Sequence, residues 1–367
     1  MNLRVGRAVA LTTLAVAPAW AGPTGKIHGY LKNLAVASRS PTTDSRWFGN
    51  TSRLRLDAQG RWAWLSARVM YDHEVVAGSV LDAPEFSLAK TSRDGTQFPW
   101  TRTFTDTPAW WRHKVYRGTL TARLAGAQAV LGRQRVVWGS GKFWNPTDLL
   151  HPYNPFTFER SERPAFDGAL LEWGPVAGAA AVEDDEFGRR WLARGMLPVG
   201  HGDLAFLAGR AGGMELLGLD AAVNVAQGVL RAEAGAGVRA SGRAQAVVGY
   251  DRTWPGVSLS VETFYNGYGV DSTSEYRTVG TAPAGTRNLG RWYAGALIGW
   301  EATPLLRADL ASIWNLTDGS AFLMPQARYS VMENLDVSGG YLAFAGRSDE
   351  ELGRPPNSLI AQIQMFF

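Results

Sequence analysis

Five histidines, His28, His73, His113, His151 and His201, are scattered along the chain, with no close pair at metal-ligand spacing. No G-x-S-x-G elbow occurs, so the arrangement that exposes a nucleophilic serine is missing. Gly139-Ser140-Gly141-Lys142 resembles a phosphate loop. However, the first glycine of that motif would fall on Val136 and Phe143 takes the Ser/Thr position, so a strand end is expected there. The run Glu183-Asp184-Asp185-Glu186 could hold calcium loosely, and an exposed acidic loop is the plainer reading. Cysteine is absent, which removes disulfides, thiolate metal sites, lipoprotein acylation and any C-x-x-C-H haem site. No catalytic residue, metal ligand or cofactor is therefore expected.

Arginine is the side chain whose placement carries chemistry. The chain has 37 Lys+Arg against 33 Asp+Glu, so net charge alone specifies no partner and gives no reason to expect nucleic acid. Arg53 and Arg55 alternate with Leu54 and Leu56, Arg68 with Ala67 and Val69, and Arg117 and Arg123 flank a stretch containing Leu120. Arg231, Arg243, Arg307 and Arg328 likewise fall on the face opposite apolar neighbours, and Asp57, Glu233, Asp251 and Asp309 share these faces. A guanidinium fork binds carboxylate or phosphate bidentately and keeps its charge at any physiological pH. These nine arginines are the expected lining of a channel with a surplus of positive field.

One stretch, Leu131 to Asp167, is unlike the rest. It combines Gly132-Arg133-Gln134-Arg135, Trp138-Gly139, Lys142, Trp144-Asn145-Pro146-Thr147-Asp148 and Glu159-Arg160-Ser161-Glu162-Arg163-Pro164. Asn145, His151 and Asn154 each precede proline, which forces extended or turn geometry without regular structure. A loop this aromatic and this charged, folded into a lumen, would set pore size and selectivity. Arg133, Arg135, Lys142, Asp148, Glu159, Arg160, Glu162 and Arg163 are then its constriction residues. An extracellular loop packed on its neighbours is the alternative.

The elements that must position these residues are strands. Leu359, Ala361, Ile363, Met365 and Phe367 alternate with Ser358, Ile360, Gln362 and Gln364, a two-residue period ending on an aromatic. Such runs recur from Lys26 onward, and eighteen are legible, with sixteen as the alternative count. Connections after even-numbered strands are short, among them Gln59-Gly60, Ala125-Gly126, Gly174-Pro175 and Ala226-Gln227, whereas several on the other side are long. His73 to His113 reads as one large surface loop, and Ala127 to Trp138 as one strand. Trp292 and Trp300 lie eight residues apart on one face, about 20 Å along a membrane normal for strands tilted about 40°, which suits two aromatic girdles. The expected fold is all-β: a single transmembrane antiparallel barrel with Lys26–Val36 paired to Ser358–Phe367. A large soluble sandwich is the competing architecture.

At the N-terminus, Arg4 and Arg7, the apolar run Ala8 to Val16 and Ala19-Trp20-Ala21 follow the order of a secretory signal, with cleavage expected before Gly22. The expected division is residues 1–21 as signal peptide and 22–367 as barrel, placed in the bacterial outer membrane. After the signal, no apolar run reaches the roughly 18 residues of a spanning helix.

The G-R-Q…W-G strand followed by Asn145-Pro146-Thr147-Asp148 resembles porin-like outer-membrane families of Gram-negative bacteria. In plan, eighteen strands around an arginine-rich lumen, the chain resembles the alginate-export type of polysaccharide secretion barrel. That resemblance implies a passive channel in outer-membrane lipid, carrying anionic polysaccharide or small anionic solutes, with periplasmic export components as candidate partners. A general diffusion porin, or a sheath around a cytochrome that brings its own haem, are the alternatives. An outer-membrane enzyme is disfavoured by the missing catalytic constellation.

Overall fold

The computed structural model describes residues 24–86, 101–106, 109–150, 154–159, 165–184, 188–211, 213–238, 243–279 and 288–367. The strands are β1 (Lys26–Arg39), β2 (Arg46–Trp62), β3 (Leu65–Ala77), β4 (Thr101–Asp106), β5 (Ala109–Leu124), β6 (Ala127–Gln134) and β7 (Phe166–Trp173). They continue as β8 (Val176–Asp184), β9 (Gly188–Val199), β10 (Gly202–Ala211), β11 (Met214–Val225), β12 (Gly228–Gly237) and β13 (Ala244–Trp254). The last six are β14 (Val257–Asn266), β15 (Trp292–Glu301), β16 (Leu306–Asn315), β17 (Ala321–Met332), β18 (Leu335–Ala345) and β19 (Ser358–Phe366).

All pairings between these strands are antiparallel, and eighteen of the strands close a ring. Tyr30 on β1 lies opposite Phe366 on β19, and Ala37 opposite Leu359. Beyond that register, Gly29 and Phe367 exchange backbone hydrogen bonds of 2.8 and 3.0 Å, so the seam is paired to the last residue. Closure pairs the first strand with the last, the condition for strands to cross lipid. The outer face is apolar, with Leu120, Leu131, Leu171, Val248, Trp300, Leu359 and Ile363 exposed, while Val247, Glu262 and Phe264 point inward and are buried.

The nineteenth strand, β4, explains itself through β6. β6 stops at Gln134, short of the top of β5, which would leave the β5 edge bare. β4 covers that edge, with Thr101 opposite Lys114 and Asp106 opposite Ala109. At Gly132 the backbone has φ 115°, and an added Cβ would lie 2.2 Å from Gly118 O, so only glycine fits where the strand departs. Val136 and Trp138 then turn inward and are buried with Leu149, Leu150, Phe166 and Leu170.

Three expectations about element bounds need correcting. The first turn is at Ala63–Trp64, not Gln59-Gly60; Gly60 lies within β2, opposite Ala67. The stretch after His73 is not one loop, because β3 continues to Ala77 and β5 begins at Ala109, with β4 between them. The strand expected over Ala127–Trp138 ends at Gln134, and Gly139–Lys142 is therefore not a strand end. The proposed signal, residues 1–21, and the Asp185–Glu186 part of the acidic run lie outside the described residues.

Candidate pore constriction

The segment that follows β6 passes through the barrel interior, and two wall carboxylates hold it there. Glu233 on β12 accepts hydrogen bonds from the backbone N–H of Ser140 (3.1 Å), Gly141 (3.2 Å) and Thr147 (2.6 Å), and from the Thr147 hydroxyl (2.9 Å). Glu262 on β14 accepts from the N–H of Lys142 and of Phe143, the latter at 2.9 Å. Consecutive N–H groups converging on one carboxylate form an anion-binding concavity. Gly139-Ser140-Gly141-Lys142 is thus filled by the protein's own carboxylates. An added Cβ at Gly141 would lie 1.8 Å from Trp144 O, which explains a glycine there. Arg231 joins the two walls of the site: it donates to Ser140 O (2.8 Å), Glu262 (2.7 Å) and Asp251 (2.8 Å twice).

Apolar packing carries the segment onward. The Trp144 ring stacks on Phe264, with centroids 5.2 Å apart, and Phe143 and Trp144 are buried among Val247, Tyr293, Ile313 and Met324. Phe156 meets Phe322 edge-on at 5.1 Å and lies 6.1 Å from Phe344. Glu159 then reaches the far side, forming an ion pair with Lys32 on β1 and lying 3.6 Å from Arg53 on β2. From β12 and β14, past β17 and β18, to β1 and β2, the chain crosses the lumen.

The two walls differ in charge. On β1–β5 the inward side chains include Lys32, Arg53, Arg55, Arg68, Arg112, Lys114 and Arg117 against Asp57, Asp72 and Glu74, seven cations to three acids. On β12–β14 they include Arg231 against Glu233, Asp251 and Glu262. Many of the cations are paired. Arg55 holds Asp72 bidentately at 2.6 and 2.7 Å, Arg53 and Arg112 share Glu74, and Arg68 donates to Asp57 at 2.9 Å. Tyr116 is clamped between guanidinium groups, with Arg55 at 3.7 Å and Arg117 at 4.2 Å from its ring centroid. Beside the crossing chain a cavity of about 380 Å³ remains, bordered by Lys32, Glu159, Gln326, Arg328, Gln362 and Gln364.

The other residues singled out in the sequence are distributed as follows. Arg307 sits at the short-turn end between Glu301 (3.1 Å) and Asp309 (3.0 Å). Arg123 is exposed at that same end, and Arg243, 6.0 Å from the Tyr268 ring, stands at the opposite mouth. Arg133 belongs to β6 rather than to the crossing chain and lies 3.8 Å from Asp167. Arg135 is the first residue after β6 and is exposed, Lys142 lies 3.7 Å from Asp251, and Asp148 is buried. Arg160, Glu162 and Arg163 lie outside the described residues. Glu262, Lys32, Asp72, Glu74 and Arg112 escaped the sequence reading. The inward parity of Glu262 between Val261 and Thr263 was the available signal.

At the long-loop end, Glu351 in the connection after β18 accepts from Leu289 N–H (3.2 Å) and Asn315 Nδ2 (2.8 Å), and from the Tyr293 hydroxyl. Burial pushes its carboxyl up to about 7, opposed by the Tyr293 and Leu289 hydrogen bonds and assisted by Asp318. Among the described residues no group of three or more metal-ligating side chains occurs.

No family model matches the chain, and no curated protein matches its sequence. Solved structures do match its shape. OccAB2 of Acinetobacter baumannii aligns with TM-score 0.57 at 9% identity, covering 94% of this chain and 98% of that one. A BenF-like porin from Pseudomonas fluorescens Pf-5 gives 0.55 at 11% identity, covering 94% and 99%. OccK8 (OprE) of Pseudomonas aeruginosa gives 0.54 at 10% identity, covering 94% and 98%. By fold, the chain is a closed eighteen-stranded antiparallel barrel of the porin type.

Proposed function

We propose that this protein is an outer-membrane diffusion channel that prefers small anionic solutes, carboxylates first among them. The observation that carries the reading is the crossing segment. It is bound to the acidic wall through Glu233 and Glu262, and it leaves open the side bordered by Lys32 and Arg328. A solute passing there meets the Arg328 guanidinium and the amides of Gln326, Gln362 and Gln364, donors suited to a carboxylate and its hydroxyl groups, beside Asp309 and the Lys32–Glu159 pair. Pseudomonas aeruginosa OccK2 (OpdF), whose solved complex contains glucuronate, matches this fold with TM-score 0.54 at 10% identity, covering 94% of this chain and 96% of that one. An anion of that size suits a cavity of about 380 Å³.

The same crossing argues against the wider cargo. Export of a polysaccharide, or a cytochrome held in the lumen, needs an unobstructed bore, and here the chain itself spans the interior. Reversal potentials in planar bilayers test the reading. In a potassium chloride gradient the channel is expected to favour chloride, and sodium glucuronate as the only salt is expected to carry measurable anion current. Cation preference in the unmodified channel would overturn it.

A further inference from the structure

We infer that the outer face of β3–β5 holds a binding site for the phosphate of an outer-leaflet glycolipid. Tyr71 and His73 on β3, and Trp111 and His113 on β5, share the outward side; Glu74 and Arg112 beside them pair with each other inside. His73 lies directly opposite His113, and His113 directly opposite Arg102 on β4. Three adjacent strands therefore present a row of two imidazoles and a guanidinium, about 10 Å long at the usual strand spacing. The two imidazole centroids are 4.7 Å apart, and Tyr71 hydrogen-bonds His113 Nδ1. The next row up is aromatic: Phe104 stacks on Trp111 at 4.5 Å, and Trp111 meets His73 edge-on at 5.7 Å.

Height decides what this row meets. His73 is nine residues above Trp64, the exposed aromatic at the short-turn end of the same hairpin. At about 3.3 Å per residue and a tilt of about 40°, that is about 23 Å along the membrane normal, close to the roughly 25 Å height of the apolar band of such barrels. The row thus lies at headgroup level in the leaflet facing the long loops. By register the outward face of β3–β5 also carries Asp106 of β4, opposite Ala109 and four residues, about 13 Å, along the strand from Arg102. A second copy docked through a twofold axis would set the two Arg102 guanidinium groups against each other. A lipid phosphate complements them, and Trp111 and Phe104, one row further out, suit the sugar that carries it.

The test uses the full chain, purified and incorporated into nanodiscs with defined lipids, and native mass spectrometry of what stays bound. Diphosphoryl lipid A is expected to be retained about fivefold more than a fully dephosphorylated form. Arg102→Gln combined with His73→Gln and His113→Gln is expected to remove that preference, with heat-modifiable migration and conductance unchanged. Equal retention of the two lipids by the unmodified protein would overturn the inference without any variant being needed. So would a triple variant that folds and keeps the preference, or a dimer cross-linked through these residues.

Discussion

At the scale of single residues, Glu233 and Glu262 decide whether the lumen is narrow. Each accepts backbone N–H groups of the crossing chain. Removing a carboxylate would leave buried donors unsatisfied, at about 1–3 kcal/mol for each. Glu233→Ala is therefore expected to free the segment around Ser140–Thr147, seen as larger and noisier single-channel currents. Glu262→Gln keeps one acceptor oxygen and should have a milder effect. Currents indistinguishable from the unmodified channel in both variants would mean that apolar packing of Phe143 and Trp144 suffices. Arg53 and Arg55 could be placed on the inner face from sequence, because a period of two needs only near neighbours. Glu233 as the receptor for Ser140 could not, because the two are 93 residues apart and meet only through barrel closure.

At the scale of elements, the crossing segment acts as a removable part, because β5 and β7 still pair with β6 below it. Replacing Lys142–Glu159 by a short linker is expected to raise conductance severalfold with the barrel intact, measured in bilayers; unchanged conductance would put the pore elsewhere. The connection after β18 behaves differently, because its anchor Glu351 titrates. Its carboxyl has a pKa of about 7 when folded, against 4.5 as an ordinary glutamate. Between those values the folded state binds the extra proton, so anchoring is strongest below about pH 4.5 and weakens as pH rises toward 7, by on the order of 3 kcal/mol. Protection factors in residues 346–357, corrected for the intrinsic pH dependence of amide exchange, should fall from pH 5 to pH 8, and Glu351→Gln should abolish that fall. β4 was not legible from sequence because it pairs only with β5 and repairs an edge whose existence depends on where β6 departs. The turn at Ala63–Trp64 was missed for a related reason: neither residue has turn chemistry, while Gln59-Gly60 does.

At the scale of the whole molecule, closure and charge asymmetry are one design, since bringing β19 to β1 places the cationic β1–β5 wall across from β12–β14. The strand count and the closing pair were legible because every strand repeats the same inward–outward alternation. The asymmetry was only half legible: the arginines stood out, and the acids that pair them were dispersed over other strands. Pairing divides the cations into two populations. Arg55 and Arg231 are buried and Arg53 half-buried, each with a close acid partner, whereas Arg123 and Arg243 are exposed at the two mouths and Arg328 borders the cavity. Screening reaches the exposed group first, because the Debye length falls from about 10 Å at 0.1 M salt to about 3 Å at 1 M. Anion preference is therefore expected to be pronounced in dilute salt and to shrink severalfold at 1 M. Arg123→Ser with Arg243→Ser should remove most of the salt-dependent part, and Arg328→Ser the part that survives at 1 M. Reversal potentials for the three channels at both concentrations give the answer. A preference that is equally strong at 1 M and indifferent to all three substitutions would place selection on the paired wall instead.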